Sequence, residues 1–262
     1  MKNIIVVGYP KSGNTWITRL TAELVGCPVK GFWNYPNHNE IAIEGSERSS
    51  EYSCFKAHQT FSDLAVDPTN IGHQIYIIYV IRDPRDIVIS GAKFFGLKAE
   101  ELPKWLNLTK KTLLKFPKGH TISSKMITEP FKISRMANAV LNGSSKVHKW
   151  CSVSWQEHYC SYLKQNCIFV RYEDMLINPM SECKKILQYL GIARDDREIC
   201  EAIRQQSFYN KKKEFEKKGE SGKASFLRKG QSGQWKNHLT PKQRKKIVKS
   251  LEKDLILFRY HT

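Results

Sequence analysis

The sequence has no apolar run long enough to cross a bilayer. Its longest apolar runs, residues 4–7 and 75–81, fall far below the roughly 18 residues that a membrane-spanning helix needs. The opening MKNIIVVGYP has too short an apolar stretch for a signal peptide and carries no small-residue cleavage site. We therefore expect a cytoplasmic protein without a membrane partner.

Cysteine occurs without any metal-ligand spacing. There are seven cysteines, an odd number, and none of them forms a C-x-x-C pair. In a protein without a secretory signal, reduced thiols are the default state. The sequence thus predicts no disulfide and no structural metal.

Acidic residues are scarce relative to basic ones. Aspartate and glutamate number 25 against 43 lysines and arginines, which gives a net charge of +18. Such an excess predicts an anionic partner, whether nucleotide, acidic polymer, nucleic acid or lipid surface, without choosing among them. The length of 262 residues and the 40% hydrophobic content fit one α/β domain, residues 1–262, with a substantial core.

Short buried strands alternate with helices along the chain. Strands are predicted at residues 4–7, 53–56, 75–81 and 167–170, and the uniformly apolar 75–81 run is expected at the centre of the sheet. Capping residues and apolar spacing predict helices at 14–25, 86–95, 179–190 and from Thr240 to about residue 258. This alternation predicts an α/β fold with a central parallel sheet flanked by helices.

Two stretches are less regular. Residues 96–149 lack a clear period, and we interpret them as a helical lid or an acceptor-binding insertion. Residues 211–229 are rich in Lys, Glu, Ser and Gly, a composition that predicts a mobile loop.

The first predicted strand runs into an unusual glycine-containing loop. In IIVVGYPKSGNTW, residues 4–16, Gly8 and Gly13 stand five apart and Thr15 follows, which almost completes G-x-x-x-x-G-K-[ST]. Asn14 occupies the lysine position of that motif, and the lysine stands three residues earlier, at Lys11. Between a strand and a helix, the backbone N–H groups of residues 12–15 can bind a phosphate. We name residues 8–15 the phosphate loop; the alternative is a turn that only looks like one.

Four segments in order resemble the sulfotransferases that use 3′-phosphoadenosine-5′-phosphosulfate (PAPS). YPKSGNTW resembles the family's phosphosulfate loop, and VIRDPRDIVIS resembles its 3′-phosphate segment, with an Arg and a Ser eight apart. VRYEDM is similar to the family's Y-E-D-M, and FLRKGQSGQWKNHLT to its R-K-G…G-x-W-K segment. The matches span nearly the whole chain and imply the P-loop-like nucleotide-binding fold of this family.

The resemblance also implies a role for each matched residue. In CFKAHQTF, Lys56-Ala57-His58 resembles the family's K-x-H, whose histidine is the general base. Catalytic roles are implied for Lys11, Lys56, His58 and Ser90. Donor binding is implied for Lys11, Ser12, Gly13, Asn14, Thr15, Trp16, Arg82, Ser90, Tyr172, Ser207, Phe208, Arg228, Lys229 and Gly230.

The chemistry of these residue types suits transfer of a sulfuryl group to a hydroxyl or to an amine or carbamoyl nitrogen. A histidine with an ordinary pKa near ~6.5 can take the acceptor's proton at neutral pH. Lys11 and the loop amides can neutralise charge on the leaving phosphate. A sulfuryl group carries less charge than a phosphoryl group, so the expectation is that no metal is required.

Each assignment has a structural alternative. His58 is one of eight histidines, and Trp16 and Tyr172 are large enough to be packing residues. Arg82 has Asp83 beside it as an ion-pair partner. Arg228 and Lys229 could be an ordinary solvated basic pair.

Two other functions stay open at this stage. The first is a P-loop kinase or NTPase with Asp83 on Mg²⁺, against which the missing lysine at position 14 argues. The second is a binder of nucleic acid or acidic polysaccharide through residues 211–253, which hold fifteen Lys and Arg against four Glu. Because the sequence resembles sulfotransferases, we expect no nucleic-acid partner.

The acceptor is expected to be a small molecule. Residues 39–52 hold four glutamates (Glu40, Glu44, Glu47 and Glu51) against one arginine, just before the predicted base. This acidic segment suggests a cationic acceptor, such as an amine- or guanidinium-bearing natural product of the saxitoxin type. The family's dimer motif is matched only in part by KNHLTPKQRK, so the sequence sets no oligomeric state.

Overall fold

The structure is a computed structural model that describes residues 2–35, 41–65, 74–98, 121–122, 129–226 and 230–261. The chain forms two compact units, and each unit combines two separate segments. The first unit contains the chain up to Arg82 together with His158–Ser232. The second contains Asp83–Glu157 together with the chain from Gly233 onward.

The first unit is built on a five-stranded parallel sheet. The strands are β1 Lys2–Val7, β2 Val29–Phe32, β3 Tyr52–Ala57, β4 Gln74–Ile81 and β7 Cys167–Arg171. They lie in the order β2-β3-β1-β4-β7, so β1 is the middle strand and β4 is interior. The four predicted strands are all present, and β2, which is short and contains Gly31, was not predicted.

Burial explains why β1 lies in the middle. Residues 4–7 of β1 are all completely buried, as a β-branched run covered on both faces must be. In register, Val7 lies opposite Ala57 of β3 and Tyr79 of β4. Parallel pairing brings the carboxyl ends of β3, β1 and β4 to one edge of the sheet, where ligands bind in open α/β sheets.

Four helices of the first unit, at residues 14–25, 172–177, 179–190 and 196–205, pack on this sheet through one apolar cluster. Ile17 and Leu20 on the first helix join Ile186 and Ile199 in that cluster. The helices are α1 Asn14–Val25, α5 Tyr172–Ile177, α6 Pro179–Leu190, α7 Asp196–Gln205, α8 Phe208–Lys217 and α9 Ser221–Phe226. A further helix, α4 Trp155–Cys160, contains both Glu157, the last residue of the second unit's first segment, and His158, the first residue of the first unit's second segment.

The second unit is largely helical. Its elements are α2 Pro84–Phe94, β5 Leu97–Lys98 paired antiparallel with β6 Thr121–Ile122, α3 Glu129–Asn142, α10 Trp235–His238 and α11 Pro241–Leu257. Gly91 of α2 lies so close to α3 that an added Cβ would be 2.6 Å from the sulfur of Met136. Gln243 of α11 donates a hydrogen bond to Ser134 of α3.

Among the parts of the chain that the structure describes, no helix is both long and apolar enough to span a membrane. The predicted helices at 14–25, 179–190 and from Thr240 are confirmed at their capping residues. The helix predicted at 86–95 begins earlier, at Pro84, because Asp83 is its N-cap and accepts from the N–H of Arg85.

The prediction of a loop at 211–229 is wrong for its described part. Helix α8 extends to Lys217, and α9 follows it. Glu214 pairs along the helix with Lys211 and Lys218, at 3.0 Å and 2.7 Å, and such pairs stabilise a polar helix. Phe215 is buried under the guanidinium of Arg19, which lies 4.8 Å from its ring centre.

The predicted insertion at 96–149 is described only in part. Residues 129–142 form α3, whereas residues 99–120 and 123–128 lie outside the described residues. Its role as a lid or acceptor-binding element stays a prediction.

Helix α7 was not predicted, although its start carries a capping box. The N–H of Glu198 donates to Asp195 at 2.8 Å, and the N–H of Asp195 donates to Glu198 at 2.9 Å. The Asp-x-x-Glu spacing was the available signal.

The capping box predicts a measurable loss on mutation. We expect Asp195→Ala to lower the free energy of unfolding by about 1 kcal/mol, because an N–H of the first turn loses its acceptor. Asp196→Ala is the control, since that exposed carboxylate only pairs with Lys184 and such pairs contribute little. Urea unfolding should separate the two variants, and equal losses would contradict the assignment.

Candidate active site

The phosphate loop folds tightly around two positive-φ residues. Lys11 has φ 73° and Gly13 has φ 101°, and the N–H of Ser12 donates to the carbonyl of Tyr9 at 3.1 Å. Gly13 is the N-cap of α1 and provides no side-chain cap. The first-turn N–H groups of α1 therefore form the kind of helix N-terminus that binds anions.

Both glycines of the loop are required by close contacts. A Cβ on Gly8 would lie 2.5 Å from the carbonyl oxygen of Val80, and one on Gly13 would lie 2.5 Å from the ring of Tyr172. The glycine spacing read from the sequence thus reflects two tight approaches to neighbouring backbone and ring atoms.

His58 follows β3 and lies directly against the phosphate loop. Its Nδ1 is 2.9 Å from the carbonyl oxygen of Gly8 and 3.2 Å from Nδ2 of Asn14. The main chain of His58 is held on both sides: its N–H donates to Gln59 and its carbonyl accepts from Nε2 of His158, each at 2.9 Å. The predicted base and the predicted phosphate loop are therefore in direct contact.

The surroundings of His58 favour its neutral form. Burial lowers the pKa of His58 well below its ordinary value, and the nearby charge of Lys56 lowers this pKa further. The hydrogen bond with Gly8 opposes these effects, while His158 and Lys11 add to them. At neutral pH the imidazole is uncharged, as a proton acceptor must be.

Lys56 is a buried cation that stands two residues before His58 in the sequence. Its Nζ lies 4.7 Å above the centre of the Phe32 ring, and that ring is 5.9 Å from the ring of His58. Lys56 is 6% exposed, so its charge acts in a weakly screened environment.

Arg82, at the end of β4, bridges two segments of the first unit. It donates to the carbonyl of Lys11 at 3.0 Å and to that of Gln231 at 3.1 Å, and its guanidinium lies 4.2 Å above the ring of Tyr172. The carboxylate of Asp83 binds Arg85 instead, at 2.8 Å. In the structure Asp83 is thus committed to Arg85, and Arg82 is directed to the loop.

The predicted adenine-side residues also come together. Trp16 contacts Tyr172 edge-on at 5.7 Å and donates to the carbonyl of Gln206 at 2.9 Å. Ser207 caps α8, and Gly230, at φ 58°, packs so closely on Phe208 that a Cβ there would be 2.8 Å from its ring. Packing contacts account for Trp16 and Tyr172 in this structure; their donor-binding roles stay predictions.

For three further predicted site residues the donor-binding role stays a prediction. Ser90 lies in α2 of the second unit and is partly exposed. Arg228 and Lys229 lie outside the described residues.

Two anchors of the G-x-W segment were missed by sequence reasoning. The carboxylate of Asp86 accepts from the N–H groups of Gly233 and Trp235, at 2.6 Å and 3.0 Å. Arg85 lies 3.9 Å above the ring of Trp235. The available signal was the second Arg-Asp of RDPRD, which is Arg85-Asp86. In the structure these two residues contact the segment that follows Gly230.

His158 was missed as well, and no local motif marks it. Its Nδ1 accepts from the hydroxyl of Tyr79 at 2.8 Å, so its Nε2–H donates to the carbonyl of His58. Burial lowers the pKa of His158 to about 4, against the opposing effects of the His58 carbonyl and Asp63. His158 is therefore neutral, and its hydrogen bond holds the main chain of His58.

Over the residues that can be described, no cluster of three or more His, Cys, Asp or Glu side chains could hold a metal ion. Asp83, the Mg²⁺ ligand of the kinase alternative, is held in a two-oxygen pair with Arg85. The structure thus gives that alternative no support at this residue.

The contact between Gly13 and Tyr172 predicts a strong mutational effect. Gly191 has φ 67°, and an added Cβ there would have no other described atom within 4 Å. Gly191→Ala should therefore cost roughly 1–2 kcal/mol of unfolding free energy from backbone strain alone. Gly13→Ala should cost clearly more, because its methyl group also meets the Tyr172 ring. Urea unfolding of both variants tests this, and equal losses would show that the contact relaxes freely.

The two buried neutral histidines predict acid sensitivity. Because their pKa values are lowered in the folded chain, the unfolded chain binds more protons below about pH 6.5, and stability falls as pH falls. Each histidine contributes a slope of up to about 1.4 kcal/mol per pH unit, down to about pH 4 for His158.

Urea unfolding between pH 7.5 and 5 measures this slope. His158→Gln should reduce it while keeping a donor and an acceptor in place, and the exposed His261→Gln should leave it unchanged. An unchanged slope in His158→Gln would show that the pKa of His158 is the same in the folded and unfolded protein.

Comparison with known proteins agrees with this geometry. The family model described as "Sulfotransferase domain" matches residues 1–259. Sulfotransferase 2A1 of Rattus norvegicus is 28% identical over 98% of this chain and 86% of its own, and 3-beta-hydroxysteroid sulfotransferase of Cavia porcellus is 24% identical over 95% and 82%. A mouse sulfotransferase structure complexed with PAP superposes with a TM-score of 0.64 at 21% identity, over 97% of this chain and 84% of that one. The chain belongs to the sulfotransferase family.

Proposed function

We propose that this protein transfers a sulfuryl group from PAPS to a small-molecule acceptor and releases adenosine 3′,5′-bisphosphate. The observation that carries the proposal is the 2.9 Å contact between His58 Nδ1 and the carbonyl of Gly8, which joins a neutral base to a phosphate-binding loop. The fold likeness to structures that contain PAP supports the choice of donor.

The loop has the properties that such a donor needs. The hydroxyl of Ser12 and the Nε of Arg82 are buried and have no hydrogen-bond partner within the described part of the chain. Buried polar groups of this kind are costly unless a ligand completes them. Together with the uncapped helix N-terminus after Gly13, they fit a bound phosphate.

We assign three groups of residues to three parts of the donor. The backbone N–H groups of residues 12–15 and the ammonium group of Lys11 bind the phosphate from which the sulfuryl group leaves. Arg82 and Ser90, with Arg228, Lys229 and Gly230, bind the 3′-phosphate, as the family resemblance implies. Trp16, Tyr172, Ser207 and Phe208 hold the adenosine.

Each catalytic residue has one task. PAPS, when bound, supplies an electrophilic sulfuryl group on a phosphate leaving group. The Nε2 lone pair of His58 takes the proton of the acceptor's hydroxyl or nitrogen as that atom attacks. Lys11 and the loop N–H groups neutralise the charge that develops on the leaving phosphate. Lys56 adds to the effect of burial, which keeps His58 neutral.

A cationic acceptor remains the finer proposal. Of the acidic segment, Glu44 is 3.0 Å from the ammonium of Lys211 and Glu51 is 3.0 Å from that of Lys2. Glu47 is exposed, and Glu40 lies outside the described residues. Attraction of a cationic natural product in the cytoplasm therefore depends on Glu40 and Glu47.

Incubation with PAPS and a panel of phenol, alcohol and amine acceptors tests the function by the gain of a sulfo group in the product mass. We expect Lys11→Met to lower kcat by about 10²–10³, since a preorganised cation is lost. We expect His58→Gln to lower kcat by about 10²–10⁴. Both variants should bind adenosine 3′,5′-bisphosphate measurably in calorimetry.

Matched controls exclude a general effect of charge or size. Lys30→Met and His261→Gln change exposed residues to which no catalytic or donor-binding role is assigned, and they should keep wild-type turnover. A chain that does not bind the bisphosphate, or a His58→Gln variant with full turnover, would refute the proposal. Loss of activity on addition of EDTA would favour the kinase alternative.

A further inference from the structure

We infer that Asn14 is a positioning residue for the base: its side-chain amide joins the ends of two strands and fixes the proton of His58 on Nδ1. The sequence motif had placed Asn14 among the donor-binding residues. The inference rests on the proposed function, because it concerns how His58 is prepared to accept a proton.

The amide of Asn14 spans two neighbouring strand ends. Its Nδ2 donates to the carbonyl of Gly8 at 2.9 Å and to that of Ala57 at 3.0 Å. Gly8 follows β1 directly, and Ala57 is the last residue of β3. Asn14 is 2% exposed, so both hydrogen bonds are shielded from water.

The orientation of the amide is set by its partners. With the amide reversed, its Oδ1 would face the two carbonyl oxygens of Gly8 and Ala57, and three acceptors would repel one another. In the observed orientation Oδ1 is buried without a hydrogen-bond partner in the described ranges. In this orientation one atom, Oδ1, lacks a hydrogen bond, while Nδ2 makes two hydrogen bonds to backbone carbonyls.

A count of hydrogens then fixes the tautomer of His58. The Nδ2 of Asn14 carries two hydrogens, and the carbonyls of Gly8 and Ala57 use both. No hydrogen remains for the Nδ1 of His58, although that atom is only 3.2 Å away. Nδ1 must therefore carry its own proton and donate it to the carbonyl of Gly8, whose two lone pairs can accept from both side chains.

The consequence is a basic lone pair at Nε2. A neutral imidazole with its proton on Nδ1 accepts only through Nε2. Charged and titratable groups reach His58 from three directions: Lys56 on β3, Lys11 in the phosphate loop and His158 on α4. None of these is an anion, and Asp63 acts on His158. An amide at position 14 thus secures the tautomer without adding a negative charge that would hold the proton on the ring.

Two variants separate positioning from phosphate binding. Asn14→Leu has nearly the same shape but no donor; we expect kcat to fall by about tenfold to a hundredfold through misplacement of the base, with the Kd for adenosine 3′,5′-bisphosphate within about threefold. Asn14→Asp places a carboxylate beside Nδ1–H, and we expect the acid limb of kcat/KM against pH to move up by at least about one unit.

Asn3→Asp is the matched control, since Asn3 is also buried and lies at the other end of β1. It should leave the acid limb in place. If Asn14→Leu instead weakens bisphosphate binding more than tenfold with kcat unchanged, Asn14 is a phosphate ligand and the inference fails.

The tautomer is tested directly, without turnover, by ¹⁵N NMR of the imidazole in the full-length protein. We expect Nδ1 of His58 to give the signal of a protonated nitrogen and Nε2 that of an unprotonated one. A protonated Nε2 would overturn the inference even if the protein transfers sulfuryl groups. Conversely, a protein that ignores PAPS but shows protonated Nδ1 would refute the proposed function alone.

Discussion

The site depends on one backbone oxygen, the carbonyl of Gly8. It accepts hydrogen bonds from Asn14 and from His58, so it joins the first strand, the start of α1 and the residue after β3. Parallel pairing of β1 with β3 places this oxygen and the Ala57 carbonyl side by side. The imidazole of His58 is therefore held directly by the backbone at the end of the central strand.

Two cations near the phosphate loop lie over aromatic rings. Lys56 lies over Phe32, and Arg82 lies over Tyr172. A ring attracts a cation without cancelling its formal charge, whereas a carboxylate would neutralise it. In a chain of net charge +18, this choice keeps a positive field at the phosphate loop, where an anionic donor is expected.

The sequence predicted the parts of the molecule that local patterns determine. The β-branched run before Gly8, the cap at Asn178 and the capping box at Thr240 each depend on neighbouring residues, and each is present in the structure. Helix α8 was mistaken for a loop because composition hid its Lys–Glu spacing and the burial of Phe215.

The remaining parts arise from contacts between distant residues. His158 supports a residue 100 positions away, and no periodicity or motif announces such a pairing. The sequence likewise offered Asp83 as a partner for Arg82, but the N-cap position of Asp83 on α2 commits it to Arg85. The motif predicted which residues gather at the loop; their hydrogen-bond partners followed only from the three-dimensional arrangement.

The hydrogen bond that orients His58 ends on a neutral carbonyl rather than on a carboxylate. An imidazolium formed there is disfavoured by burial and by the ammonium groups of Lys56 and Lys11. In the proposed mechanism, a proton that the ring takes from the acceptor is therefore held weakly. A base of this kind returns to its uncharged state before the next acceptor binds.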